Sequence, residues 1–534
     1  MEAGFQLFLI LLALLAGISL LARKLDVAPA ILLLATGILL AVIPDTPRVE
    51  LAPDLVLLLM LPPLIYQASV AMSWRDFKAN LRPIAFLAIG CVLFTACAVA
   101  TATHYLLGLP WGVGFLLGAI VSPPDVVAPL AIARRLHLPR RILVVLEGEG
   151  LVNDATALIL YRFAVVAITT GAFSLPRASA TFAAIVVGEI LFGLAIGWLS
   201  LRLRKWADSP KVEIIFSLIT PYLAFWTPEH FGGSGVLATV ACGLFISWNG
   251  PLWISSATRL QGIFFWDLTI YLTEGALFLL TGFQMRMLIE KSKAFPLNEL
   301  LIAIALVSAV IIVARFVWVF PATYLARFVN GKLARSDPSP PWRQVFVVAF
   351  TGVRGAVSLA AALALPLTMP GGEAFPYRDQ ILFVAFGVIF VTLVGLGLTL
   401  PMLVRALGLA HFGNDEYKRE RIAETHARRE ALDTVCKTLE EIVNNRKIAD
   451  EIVQQLTARH DHRLSQLPDP EKELAADLFL LSGKMHRELI AEERRFLHAM
   501  LRDGKITDET RRRIERDLDL EEASIVNREH SEQL

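Results

Sequence analysis

The sequence predicts an all-α polytopic membrane protein, with about 13 transmembrane helices and a helical cytoplasmic tail. Three observations predict it. Of 534 residues, 55% are hydrophobic and 19% charged, and the mean hydropathy is +0.58, beyond the range of an ordinary soluble domain. Apolar stretches of roughly 17–25 residues, the length a helix needs to cross a bilayer, recur between polar breaks. Charge is sparse up to about residue 410 and dense after it, which divides the chain into a transmembrane domain, 1–410, and a cytoplasmic helical domain, 411–534.

Taken in order, the stretches are 4–22, 28–44, 53–72, 84–107, 112–133, 142–169, 180–201, 212–228, 233–249, 263–284, 298–326, 343–366 and 379–409. The first is read as a membrane helix and not as a signal peptide, because Glu2 precedes it and Arg23-Lys24 follow it directly. Charge bias in the short loops sets the orientation. With the N-terminus outside, the inner loops hold 18 Lys and Arg and the outer loops only 6 (Arg48, Arg177, Arg286, Lys291, Lys293 and Arg378). An odd number of helices then places the tail in the cytoplasm. The cysteines Cys91, Cys97, Cys242 and Cys436 lack the spacing of a zinc site or disulfide framework and read as small core residues.

Two stretches are interrupted. The fifth carries VSPPDVVAP, 121–129, where Pro123, Pro124 and Pro129 flank Asp125. Proline removes a backbone donor and clashes with the preceding turn, so this helix must unwind or kink. The twelfth carries TGVRGAVS, 351–358, with Gly352 and Gly355 around Arg354. Kinks alone imply little, since Pro and Gly are common in membrane helices. Their corresponding positions fit two inverted six-helix repeats, helices 1–6 and 8–13, with crossed broken helices and a midplane site between them. Helix N-termini carry partial positive and C-termini partial negative charge. Asp125 is therefore expected to offset two N-terminal ends and Arg354 two C-terminal ends.

The sixth stretch reads RILVVLEGEGLVNDATALILYRF. Glu147, Gly150 and Asp154 fall on one helical stripe, with Glu149 and Asn153 beside it. Asp154 lies about 20 Å along the helix from Arg141, near mid-bilayer, and Glu147 nearer the cytoplasmic mouth. An intramembrane acid marks an ion or proton pathway by default. Burial disfavours its charged form, whereas a proton or a hard monovalent cation neutralises it, so one such carboxyl takes either ion in turn. One competing acid predicts one cation per proton without net charge movement. The plainer alternative has Asp154 pairing with Arg354 or Arg162 to hold the bundle. Glu149 is read as the structural acid, paired with Arg354.

With LPPLIYQA at 61–68, SPPDVVA at 122–128, EGEGLVNDA at 147–155, SGVLA at 234–238, YLTEGALFLLTG at 271–282, ARFVWVFP at 314–321 and GVRGAVSLA at 352–360, the chain resembles the monovalent cation:proton antiporters of the sodium/proton exchanger type, over roughly 5–410. The resemblance implies that Asp154 is the shared monovalent-cation and proton site, with Asn153, the Pro124 carbonyl and the Gly150 position around it. It implies that Arg354 bridges Glu149 and Asp125 to organise the site, and that the protein is an electroneutral homodimer in the cell membrane. No cofactor is expected. The transported ions would be Na+, or Li+ or K+, and H+, and the surroundings membrane lipid, with no nucleic-acid partner. Where the family commonly has Ser, this chain has Gly150, so a water is expected in place of a hydroxyl ligand. Gln67 stands at or beside a position where many relatives carry an acid.

Glu274 and Arg315, inside apolar helices, are further possible site residues, with structural ion pairing at least as expected as transport. His104 reads as an interfacial histidine, and Glu189 as facing a dimer contact or a lipid headgroup. Trp111, Trp318 and Trp342 suit aromatic belts. A cation channel or a potassium/proton antiporter remains an alternative. GGSG at 232–235 fits the pattern of intramembrane serine proteases, but His230 sits on the same loop as Ser234 and not on a facing helix, so no enzyme is expected. In the tail, Leu439, Ile442, Val443, Ile452 and Val453 offer a packing stripe, and Pro468 and Pro470 break the helical pattern.

Overall fold

The computed structural model describes residues 2–25, 27–43, 55–171, 174–207, 209–292, 296–329, 335, 337–369, 372–445, 450–465, 473–503 and 505–533. Two compact units divide it, Met1–Ala410 and His411–Leu534. Arg48, Lys293, Lys332, Pro468 and Pro470 lie outside the described residues.

The first unit is all-helical. Seven of its described helices are long and apolar enough to cross a membrane: Leu81–Leu107, Arg140–Thr170, Leu175–Ala207, Val236–Trp253, Ser256–Glu290, Leu297–Leu325 and Arg378–Ala406. Shorter apolar helices fill other expected stretches, among them Pro29–Val42, Leu55–Ala71 and Trp111–Val121. Several helices overrun the apolar core of their stretch. Leu175–Ala207, for example, ends in Arg204 and Lys205, whose charge suits a helix C-terminus.

Lipid tails are as apolar as leucine, so these helices associate by close packing and not by hydrophobic exclusion. Gly37 of Pro29–Val42 and Gly282 of Ser256–Phe283 face each other so closely that a Cβ on either would strike the other's backbone. In Leu81–Leu107, Phe86–Cys91 forms a π-helical turn. Such a turn frees backbone groups, and Trp318 Nε1 donates to the Phe86 carbonyl at 2.8 Å while its ring fills the space beside Gly90. Cys91 and Cys242 are buried, but Cys97 faces outward, because it lies on the side of its helix away from the bundle.

Two helices are broken at mid-span. The first pauses between Trp111–Val121 and Val127–Arg135, the second between Trp342–Phe350 and Ala356–Leu363. Non-helical backbone at membrane depth survives only where protein satisfies it. Ser122, Thr351, Val353 and Arg354 are all buried.

The second unit contains Asp450–Ser465, Glu473–Arg502 and Asp508–Gln533. The last two pair through Ile490, Leu497, Leu518 and Ile525, with Arg494 bonded to Asp519 and Glu522, each at 2.6 Å. Ile442 and Ile452, of the expected stripe, are exposed.

Candidate ion site

The two breaks are tied to each other by backbone and guanidinium. Pro123 and Pro124 have no N–H to continue the helix and the chain unwinds at them, so the last carbonyls of Trp111–Val121 and the Ser122 carbonyl need other donors. Arg354 supplies these. Its Nε donates to Val121 O at 2.7 Å and its Nη2 to Ser122 O at 3.2 Å, at the C-terminal end of Trp111–Val121. Its Nη1 donates to the Gly352 carbonyl in its own break. Asp125 N donates to Val353 O at 2.7 Å, closing the crossing from the other side.

Asp125 serves the opposite ends. Its Oδ1 accepts from Val127 N at 2.9 Å, at the start of Val127–Arg135. Its carboxylate also lies against Gly355, the residue before Ala356–Leu363, where a Cβ would overlap Oδ2. Gly355→Ala should therefore displace Asp125. Overpacking of this kind costs about 1–3 kcal/mol of stability, so Gly355→Ala is expected to melt below the parent; an unchanged melting temperature would mean that the Asp125 carboxylate is not packed against Gly355.

Glu149 does not pair with Arg354. It is bound two-pronged by Arg315, Nη1 to Oε1 at 2.5 Å and Nη2 to Oε2 at 2.8 Å. Arg315 also donates to Val348 O, at 3.1 Å from Nη2 and 3.3 Å from Nε, at the C-terminal end of Trp342–Phe350. The reason is geometric. The Arg354 fork is occupied by carbonyls of both breaks, whereas Arg315, entering from Leu297–Val329, presents a free edge of matching shape. Each interrupted helix thus ends on an arginine, and only one of the two arginines takes a carboxylate.

The remaining predicted residues separate. Asn153, fully buried, donates Nδ2 to Pro124 O at 2.7 Å, while its Oδ1 has no hydrogen-bond partner among the described residues. Asp154, one position on, lines a recess of about 10 Å³ with Pro123, Tyr161 and Ser358, about the room of a single water. Among the described residues Asp154 makes no hydrogen bond or ion pair, and Asp125 is close enough to feel its charge. Arg162, one of its imagined partners, binds Glu229 instead. Tyr161 and Ser358 were not anticipated. Tyr161 could have been found as the i+7 neighbour of Asp154 on the same helical stripe.

Gly150 offers no room for water. The Val126 side chain occupies the space a Cβ would take, so apolar contact replaces the expected ligand. Glu147 is engaged by Arg134 at 2.6 Å. Glu274, half-buried, makes no hydrogen bond or ion pair to a described residue and lies within electrostatic reach of Asp125 and Arg134. Among the described residues, no group of three or more His, Cys, Asp or Glu is placed to hold a metal ion.

One acid, one hydroxyl and two histidines resolve away from the site. Glu189 faces neither lipid nor a second copy. It is buried and accepts from Ser234 N and Oγ, Gly235 N and Leu237 N, so its charge caps the start of Val236–Trp253. Ser234 Oγ donates to that carboxylate at 3.0 Å, and His230 packs edge-on against Phe231. His104 bonds the Leu109 carbonyl at 2.8 Å and stacks on Trp111.

Helices interrupted at mid-span, crossed, and charge-balanced by buried acid and arginine are the midplane architecture of a multi-pass membrane transporter. The chain belongs to the sodium/hydrogen exchanger family, whose transmembrane region matches residues 10–406. An uncharacterised sodium/proton exchanger of Mycobacterium tuberculosis is 34% identical over 95% of this chain and 93% of its own length. A sodium, potassium, lithium and rubidium/proton antiporter of Bacillus pumilus is 32% identical over 83% of this chain and 67% of its own. The sodium/proton antiporter MjNhaP1 from Methanocaldococcus jannaschii shares the fold, with a TM-score of 0.62 at 19% identity over 76% of this chain and 98% of its own.

Proposed function

We propose that this protein exchanges one monovalent cation for one proton by alternating access, with Asp154 binding each in turn and no net charge crossing per cycle. The observation that carries this is the division of labour among the acids. Glu149 is matched by Arg315, and Asp125 is engaged by the ends of two half-helices. Asp154 alone of the three opens on the recess without a partner among the described residues. An empty, charged Asp154 is disfavoured in that setting, while either ion neutralises it. Only a loaded site therefore moves across.

Asn153, beside Asp154 in the chain, brings its own Oδ1 and the Pro124 carbonyl that its Nδ2 holds as neutral oxygens for such an ion, and hard monovalent cations take oxygen ligands. The resemblance to the family supports two inverted six-helix repeats, thirteen crossings, a homodimer, and an N-terminus outside with residues 411–534 as a separate cytoplasmic domain. No cofactor enters the cycle. Sodium is the first ion to test. The Bacillus pumilus relative, by its name, takes sodium, potassium, lithium and rubidium, so all four belong in the assay.

The test uses purified protein in vesicles with an internal pH dye, adding each cation in turn, with and without a potassium–valinomycin clamp where potassium is not the test ion. The expected result is dissipation of the pH gradient that is indifferent to the clamp. A response that follows voltage would mean a second proton site, for which Glu274 is the candidate, and would end the one-for-one stoichiometry. Ion flow without proton movement would favour a channel.

A further inference from the structure

We propose that the protein carries a second site, for an anionic phospholipid of the adjoining leaflet, in a cavity at the base of the second broken helix. The cavity has about 80 Å³ of open space, several times that of the recess at Asp154. Arg82, Arg141 and Arg327 line its polar end. One acid, Asp337, serves two of them, at 2.7 Å from Arg141 and 2.6 Å from Arg327. Arg82 makes no salt bridge to a described acid, Asp337 being within electrostatic reach only, and lies over the Phe86 ring, 5.6 Å from its centroid. Three guanidiniums against one carboxylate leave two positive charges in excess.

The backbone adds to that charge. Arg82 and Pro83 belong to the first turn of Leu81–Leu107, Arg141 to that of Arg140–Thr170, and Gln344 and Val345 to that of Trp342–Phe350. Three helix N-termini therefore converge on one cavity. Each carries partial positive charge at that end, which favours an anion such as a phosphate. Arginine is the side chain best shaped to grip a phosphate.

The other walls are apolar, formed by Phe86, Leu87, Val145, Val319 and Ala322. A free inorganic anion would have no use for such walls. A phosphodiester with an acyl chain matches both ends, and the cavity lies where apolar helices meet their charged termini, the setting in which basic pockets take lipid headgroups. Val348 also lines it, and the Val348 carbonyl is one that Arg315 holds while it binds Glu149. An occupant thus touches the second broken helix one residue contact away from the buried ion pair, which gives the lipid a path to the rate of exchange.

The experiment measures binding directly, so that its failure is separate from any failure of transport. Purified protein in detergent is titrated with a fluorescent phosphatidylglycerol and, in parallel, with the matching phosphatidylcholine. Phosphatidylglycerol is expected to bind and phosphatidylcholine to bind at least about tenfold more weakly, and Arg82→Gln should lower phosphatidylglycerol affinity about tenfold, as loss of one charge-assisted phosphate contact implies. Arg82→Lys should recover part of it. Arg82 has no ion pair to lose, so Arg82→Gln should keep its melting temperature. Ala322→Phe, which fills the apolar end without touching the arginines, should also weaken the lipid. Equal binding of both lipids, indifference to both Arg82→Gln and Ala322→Phe, or full competition by glycerol phosphate alone would overturn the proposal.

Discussion

Asp154→Asn should reduce cation-driven proton exchange to the level of empty vesicles while leaving the protein as stable as the parent. The two halves of that expectation have different physical sources. Asn carries neither a titrating proton nor a charge to offset a cation, so the competition that couples the two ions disappears. Stability is spared because Asp154 makes no hydrogen bond or ion pair to a described residue. Removing an acid that has no compensating partner relieves a desolvation cost and breaks no contact. Exchange assays and thermal unfolding on the same preparation decide it. Persistent exchange would remove Asp154 from the cycle, and a large drop in melting temperature would reveal a structural bond in its place.

Glu149→Gln is expected to do the reverse, with its main effect on folding. Glu149 and Arg315 are 0% and 2% exposed. Taking one member from a buried, two-pronged pair leaves the other charge uncompensated, at a cost of about 3–5 kcal/mol. The double variant Glu149→Leu, Arg315→Met should recover much of this, because neither member of the pair is left behind as an uncompensated charge, though the Val348 carbonyl then loses its donor. The expected order of melting temperatures is parent, double variant, Glu149→Gln. A single variant as stable as the parent would mean that the pair is not what holds Leu297–Val329 to Arg140–Thr170.

Much of the fold could be read from the sequence because its signals are local. Runs of apolar residues mark the helices, and Pro123-Pro124 and Gly352–Gly355 mark the interruptions within a few residues. The core helix could be read in the same way, since Glu149, Asn153 and Asp154 are near neighbours on one helix. Pairing across the bundle could not. Arg315 and Arg354 both sit in apolar helices far from Glu149 along the chain, and which one meets it depends on where the carbonyls of the breaks fall. Glu189 was missed for a related reason. A lone acid in a long apolar helix must find donors somewhere, and the Gly-Ser-Gly run before Val236–Trp253, with Leu237 in its first turn, offers three backbone N–H groups and a hydroxyl. That match of an orphan acid to a helix start was a usable signal. The count of crossings and the repeat symmetry draw on geometry that composition does not carry.

The contact between Gly150 and Val126 constrains how this lineage can change. The two residues share one volume: the valine side chain stands where any side chain at 150 would have to go. A hydroxyl at 150 would therefore have to displace that side chain, unless position 126 shrank first. That first step leaves a void beside the unwound segment before any polar group is gained. The chain is thus held in its present form by the order in which substitutions would have to arrive, a historical barrier built from the bulk of one isopropyl group.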